Sequence, residues 1–215
     1  MDFEECLAFT RKEPFVEFRF DLLDLSPFQV DEVVSSARKS IATYRPDSGD
    51  PDRQIQTMLT AIKSGANYVD IELEADSYYR NELIKEARAH GRDVIISYHN
   101  FDHTPDAGSL KKIVNSCKKA GADVVKIACR VKEQKDVQAL MSSYQEDTRM
   151  VVIGMGKLGL ITRVAAPFLG AEFTFASPDS DRKTAPGQIS REKLYELINQ
   201  STEQFRTGKN THYNE

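Results

Sequence analysis

Long apolar runs, an excess of positive charge and paired cysteines are all missing from this sequence. No stretch reaches the roughly 18 apolar residues of a transmembrane helix, so no membrane partner is expected. The 29 Lys and Arg face 33 Asp and Glu, a formal net charge of −4, which leaves no electrostatic footprint for nucleic acid. The chain opens MDFEECLAF, with acids where an export signal carries basic residues, and a cytoplasmic location is expected. Cysteines number three, Cys6, Cys117 and Cys129. An odd count without a CxxC pair fits reduced thiols and predicts no structural zinc. No linker-like stretch divides the 215 residues, which suffice to bury one shared core. A single domain over 1–215 is expected, with a polar tail at 203–215 that frays.

What the chain does contain is a strict alternation. Seven short runs read as strands: FVEFRFD (15–21), SIATY (40–44), NYVDIEL (67–73), DVIISY (93–98), DVVKIA (123–128), MVVIG (150–154) and EFTFA (172–176). Segments of helical spacing lie between them. SPFQVDEVVSSARK opens with Ser26 as an N-cap and Pro27 at the first helical position. Gly65, Gly91 and Gly121 follow three further helical segments as C-caps. Repeated β-α units predict a parallel sheet packed against helices, either doubly wound or closed into a barrel.

Strand parity separates these two architectures. Both faces of a doubly wound sheet are covered, which demands nearly uniform apolar strands. Here Glu17, Arg19 and Asp21 oppose Val16, Phe18 and Phe20, and Asp70 and Glu72 oppose Val69, Ile71 and Leu73. Lys126 interrupts the apolar run DVVKIA. Such charges are costly on a covered face unless they pair or line a pocket, and a TIM-type barrel supplies the pocket at the C-terminal mouth of its strands. An antiparallel sheet with one solvated face shows the same alternation, but the intervening helices argue against it.

Lys126 is the most informative residue, since lysine is almost never fully buried without a partner. Its neutral amine can attack a ketone to form a Schiff base, although a charged residue guarding a sheet edge reads similarly. His99 ends the fourth run, where an imidazole suits general acid/base work. His103 lies four residues on with Asp102 between, a spacing that superficially suggests metal ligands. The adjacent Pro105 and the missing glutamate disfavour that reading. Gly154, Gly156 and Gly159 satisfy GxGxxG, with Asp179 about twenty residues later, formally a dinucleotide fingerprint. Too little chain follows for a nucleotide-binding half. A tight turn approaching an anionic ligand, with Arg163 in the next helix, fits the glycines better. The polar stretch 177–190 reads as a long loop of the kind that forms active-site lids.

Taken together, VEFRFD, ATYR, YVDIELE, ISYHNFDHTP, ADVVKIA, GMGKLGLITR, FTFAS and KTAPGQIS resemble type I 3-dehydroquinate dehydratase, in family order from about residue 16 to 190. The resemblance implies a (β/α)8 barrel, here seven strands because the family's first has no counterpart. It implies dehydration of 3-dehydroquinate to 3-dehydroshikimate through an imine on Lys126, with His99 as base and then acid. It also implies Glu17 and Arg19 at ring hydroxyls, Arg45 near the lysine, Arg163 on the substrate carboxylate, and Thr184 and Gln188 in a lid. Asp70 and Glu72 would balance the nearby cations. No cofactor or metal is implied, and a homodimer is the default. Arg45 is followed by PDSGDP, so an acid from that loop falls to Asp47 or Asp50 or is absent. A lysine-dependent aldolase on a related barrel and a catalytically silent relative that binds a shikimate-type ligand remain alternatives.

Overall fold

The computed structural model describes residues 1–45, 50–178 and 189–207, the last five of them as backbone alone. Thr184, Gln188 and Asp47 lie outside the described residues. Six strands, β1 (Val16–Arg19), β2 (Ser40–Thr43), β3 (Tyr68–Glu72), β4 (Asp93–Asn100), β5 (Val124–Arg130) and β6 (Met150–Met155), form one sheet in chain order. Strands β1 to β4 pair in parallel, with Arg19 opposite Thr43, Thr43 opposite Asp70, and Glu72 opposite Ser97. Chain contacts group the residues into two compact units: Met1–Tyr98 with Ile113–Lys126, and His99–Lys112 with the chain from Ile127 onward.

In the first unit, α1 (Phe3–Lys12), α2 (Pro27–Ser35), α3 (Pro51–Lys63) and α4 (Ser77–Ala89) alternate with β1 to β4. The predicted start of α2 is a full capping box: Ser26 and Gln29 exchange side-chain and backbone hydrogen bonds, with Pro27 following. Successive helices pack side by side, α1 on α2, α2 on α3 and α3 on α4. Val33, Met58, Ile62, Val69, Leu83, Val94 and Ile96 are all completely buried, each contributing about 1.5–3 kcal/mol relative to exposure.

Three helices end in the same way. Gly65, Gly91 and Gly121 adopt φ of 110°, 65° and 99°. After α3, Ala66 N donates to Ala61 O and Gly65 N to Ile62 O; after α4, Arg92 N donates to Ala87 O and Gly91 N to Arg88 O. The α5 helix (Ala107–Lys119) repeats the pattern with Ala122 N on Cys117 O and Gly121 N on Lys118 O. These are Schellman turns, and a β-carbon at the glycine would be strained. Two of the turns are followed by a clamp on the neighbouring strand: Ser40 N donates to Asn67 Oδ1, and Val94 N to Asp123 Oδ2, both at 2.8 Å.

In the second unit, α6 (Gln134–Met141) and α7 (Leu160–Ala165) pack on β6, and α8 (Arg191–Thr207) lies against α7. The run expected as a seventh strand, 172–176, has no strand assignment among the described residues. Glu172 N donates to Met150 O, and the Phe175 carbonyl accepts from the Arg163 guanidinium at 2.9 Å. Of the stretch expected to fray, residues 203–207 continue α8 to Thr207, and 208–215 lie outside the described residues.

The glycine motif has a packing origin. A β-carbon on Gly159 would stand 2.3 Å from the Gly154 backbone, and one on Gly154 would stand 2.7 Å from Gly159 Cα. The two residues lie back to back, so β6 and the turn into α7 approach closer than any side chain allows. Thr162 fastens the turn, accepting from Gly154 N at 2.8 Å and donating to Gly159 O at 2.7 Å. The close backbone approach that the glycine spacing implies is therefore made, at Gly154 and Gly159, between two segments of this chain.

Candidate active site

Strand parity places Glu17, Thr43, Asp70, Ser97 and Lys126 on one face of their strands, and hydrogen bonds join them. Lys126 is 4% exposed and Asp70 1%. Lys126 Nζ donates to Asp70 Oδ2 at 2.7 Å and lies 3.5 Å from Glu17 Oε1. Arg45, just beyond β2, grips Asp70 in bidentate fashion, Nη1 to Oδ1 at 3.1 Å and Nη2 to Oδ2 at 3.2 Å, and reaches Glu72 at 3.2 Å. Two cations thus meet three carboxylates, an arrangement in which each buried charge has a partner.

Hydroxyl groups complete the cluster. Ser97 Oγ donates to Asp70 Oδ1 at 2.6 Å and accepts from Arg45 Nη1 at 3.3 Å. Thr43 Oγ1 donates to Glu17 Oε1 at 3.0 Å. Burial alone would pull the Arg45 guanidinium down, but the charge and hydrogen bonds of Asp70, aided by Glu17 and Glu72, outweigh it and hold the group above its ordinary value. Arg19 turns to Asp21 with contacts of 2.9 and 2.6 Å, and that donation raises it as well. Asp50, one of the two candidate loop acids, accepts from Arg53 N as the N-cap of α3.

Of the predicted residues, Glu17 and Lys126 meet at 3.5 Å, Arg45 is joined to Lys126 through their shared partner Asp70, and Arg19 lies within Coulomb range of Glu17 and Arg45. Sequence reasoning missed Ser97 and Thr43. The usable signal was parity: Ser97 stands two residues before His99, and Thr43 two before Arg45.

His99 and Arg163 belong to the second unit. His99 closes β4, its ring stacked on Phe101 with centroids 6.0 Å apart. The strand stops there because Asn100 Oδ1 accepts from the backbone N–H groups of Asp102 and His103, an Asx turn. His103 points to solvent, and among the described residues no three His, Cys, Asp or Glu side chains are grouped to hold a metal.

Arg163, in α7, is 1% exposed. It donates to the Phe175 carbonyl, and among the described residues its Nε has no acceptor and its guanidinium no carboxylate. Burial pulls it down from its ordinary value to about 10. A buried cation that lacks an anion suits a carboxylate ligand, which guanidinium binds in bidentate geometry.

The sequence profile of type I 3-dehydroquinase matches residues 4–204. This chain belongs to the type I 3-dehydroquinase family. Among curated relatives, the 3-dehydroquinate dehydratase of Methanococcoides burtonii is 35% identical over 191 residues, covering 83% of this chain and 81% of that protein. That of Methanococcus vannielii is 34% identical over 199 residues, covering 86% of each. A crystal structure of the type I 3-dehydroquinate dehydratase of Clostridium difficile superposes with a TM-score of 0.79 over 93% of this chain and 86% of that one, at 24% identity. The fold is therefore the TIM-barrel type of the type I dehydroquinases. The reaction is the family's, loss of water from 3-dehydroquinate in the shikimate pathway, and the enzyme is a hydro-lyase. No described helix is long and apolar enough to cross a membrane.

Proposed function

We propose that Lys126 is the imine-forming residue of this type I dehydroquinase. The observation that carries the reading is a lysine buried to 4% exposure, 2.7 Å from Asp70, in a cluster of matched charges. The neutral amine adds to the C3 carbonyl carbon of 3-dehydroquinate. The carbonyl oxygen leaves as water, and the resulting iminium withdraws electrons from C2. His99 takes the C2 proton and returns a proton to the departing C1 hydroxyl, which leaves as water. Addition of water to the iminium then releases 3-dehydroshikimate and restores the amine.

Asp70 stays close to the nitrogen through both cationic forms, ammonium and iminium, so its charge serves the intermediate as it serves the resting enzyme. Glu17 and Arg19 hold ring hydroxyls, Arg45 adds positive charge beside the lysine, and Arg163 binds the substrate carboxylate. Thr184 and Gln188 belong to the closing lid. The reading takes residues 1–215 as one barrel domain, acting as a cytoplasmic homodimer without cofactor, nucleic acid or membrane partner.

The test is intact mass after incubation with 3-dehydroquinate and borohydride, followed by peptide mapping. A reduced adduct on Lys126 is the expected result. Absence of an adduct from folded, homogeneous protein overturns the imine assignment.

A further inference from the structure

We propose that Ser97 is a positioning residue for imine formation, acting through Asp70; the inference rests on the assignment of the imine to Lys126. Two carboxylates face the Lys126 amine, and each receives a proton from a completely buried hydroxyl on a neighbouring strand: Glu17 from Thr43, Asp70 from Ser97. The two arrangements are unequal. Glu17 is 18% exposed at its side chain, stands 3.5 Å from the amine and accepts from Thr43 at 3.0 Å. Asp70 has no exposed side-chain surface, stands 2.7 Å from the amine, and takes the Ser97 proton at 2.6 Å.

The Ser97 hydroxyl has one proton and three neighbours. Its distance to the Ile71 carbonyl, 3.5 Å, is too long to compete with Asp70, and Arg45 can only donate to it. The proton is therefore committed to Asp70, while the oxygen accepts from Arg45. A serine placed in this way fixes the rotation of the carboxylate, leaving Oδ2 aimed at the lysine while Oδ1 is tied to β4. Register supports the assignment, because Ser97 is paired with Glu72, two residues beyond Asp70 on the same face of β3. Without the hydroxyl, Asp70 keeps Arg45 but loses its closest contact, and the nitrogen loses a fixed counter-charge. Glu17, more exposed and held by the longer contacts to Thr43 and Lys126, is the carboxylate better placed to meet substrate hydroxyls.

The experiment compares wild type, Ser97→Ala and Ser97→Thr in rapid-quench borohydride trapping of 3-dehydroquinate at saturating concentration, alongside steady-state kcat and KM and thermal melting. Loss of a hydrogen bond to a charged group predicts imine formation and kcat slowed by about tenfold or more in Ser97→Ala, with KM changed by less than twofold. Ser97→Thr, which retains the hydroxyl, recovers most of the rate. A purely structural serine would instead alter the melting temperature while folded protein trapped at the wild-type rate. Trapping by folded Ser97→Ala within twofold of wild type overturns the inference, as does a folded Ser97→Thr no faster than Ser97→Ala. Should Ser97→Ala not fold, Ser97→Cys, with nearly the same volume and a weak donor, carries the same comparison. Failure of wild type itself to trap on Lys126 rejects the underlying imine assignment and is read separately from these outcomes.

Discussion

Two buried cations in this chain have opposite electrostatic surroundings. Lys126 sits among carboxylates, with Asp70 at 2.7 Å and Arg45 sharing the same acid. Arg163 is equally buried but has only a backbone carbonyl at 2.9 Å, and no carboxylate among the described residues. The first cation is compensated before any substrate arrives, which suits a group that must keep one position through several chemical forms. The second has no counter-charge among the described residues, which suits a group whose partner is the substrate's own anion. The same physical cost, desolvation of charge, is thus offset internally in one case and, on the proposed function, left to the ligand in the other.

The largest expected effect comes from removing the compensated cation. Lys126→Met should lower kcat by about 10^5-fold, the scale on which loss of a nucleophile acts. The protein should still fold, because Arg45 and Ser97 remain on Asp70. Dehydration assays and far-ultraviolet circular dichroism check both halves. An active Lys126→Met would break the comparison outright.

Removing the anion instead should damage the fold. Asp70→Asn leaves two buried cations short of a partner and should cost about 3 kcal/mol, a fall in melting temperature of about 6–12 °C for a chain of this size. Arg163→Met should do the reverse. Its stability should stay within about 1 kcal/mol of the original, a shift of about 2–4 °C in melting temperature at most, because the lost desolvation penalty offsets the lost Phe175 contact, while kcat/KM falls about 100-fold for want of charge-assisted hydrogen bonds. If Arg163→Met were as destabilising as Asp70→Asn, the two cations would not differ as described.

The legibility of these features followed the physics of each. Lys126 and Glu17 stood out because a charge inside an apolar or alternating strand is rare enough to demand a reason, whereas Arg45, just beyond its strand, came only with the family resemblance. The helix ends were readable because Gly65, Gly91 and Gly121 mark left-handed turns. Ser97 and Thr43 were not, since a small hydroxyl residue in a strand is unremarkable until its partners are known. The run at 172–176 has the composition of a strand, yet composition does not show whether a neighbour pairs with it, and the Arg163 contact on the Phe175 carbonyl, made across twelve residues of chain, leaves no local trace. The GxGxxG spacing was legible as a tight turn but not in its partner: a pattern of glycines records that something comes close, and at Gly154 and Gly159 that is the chain's own backbone.

The smallest effect concerns ordinary burial, in which the two units should not differ. Cys117 in one and Cys129 in the other are both pushed up to about 12 by desolvation. Unfolded thiols lose their protons near their usual value while folded ones hold them, so the folded state binds more protons in between and stability falls as pH rises from about 8.5 toward 12. Each thiol should account for about 1 kcal/mol of loss between pH 8 and 9.5. Urea denaturation of Cys117→Ser and Cys129→Ser at the two pH values measures it, and unequal losses would mean that the units differ in more than their charges.

The turns that precede the strands also act as a counting device. Gly65, Asn67 and Asp70 recur in step as Gly121, Asp123 and Lys126: a glycine ending the helix, an acceptor clamping the neighbouring strand two residues later, and the charged residue three beyond that. The pairing at 2.7 Å between Asp70 and Lys126 joins two strands whose chain positions are counted from identical starting marks. One residue inserted between Gly121 and Lys126 would turn the lysine to the opposite face of its strand. These two segments therefore tolerate changes of side chain far better than changes of length, and shuffled or spliced versions of this protein should survive only where the count from glycine to charge is kept.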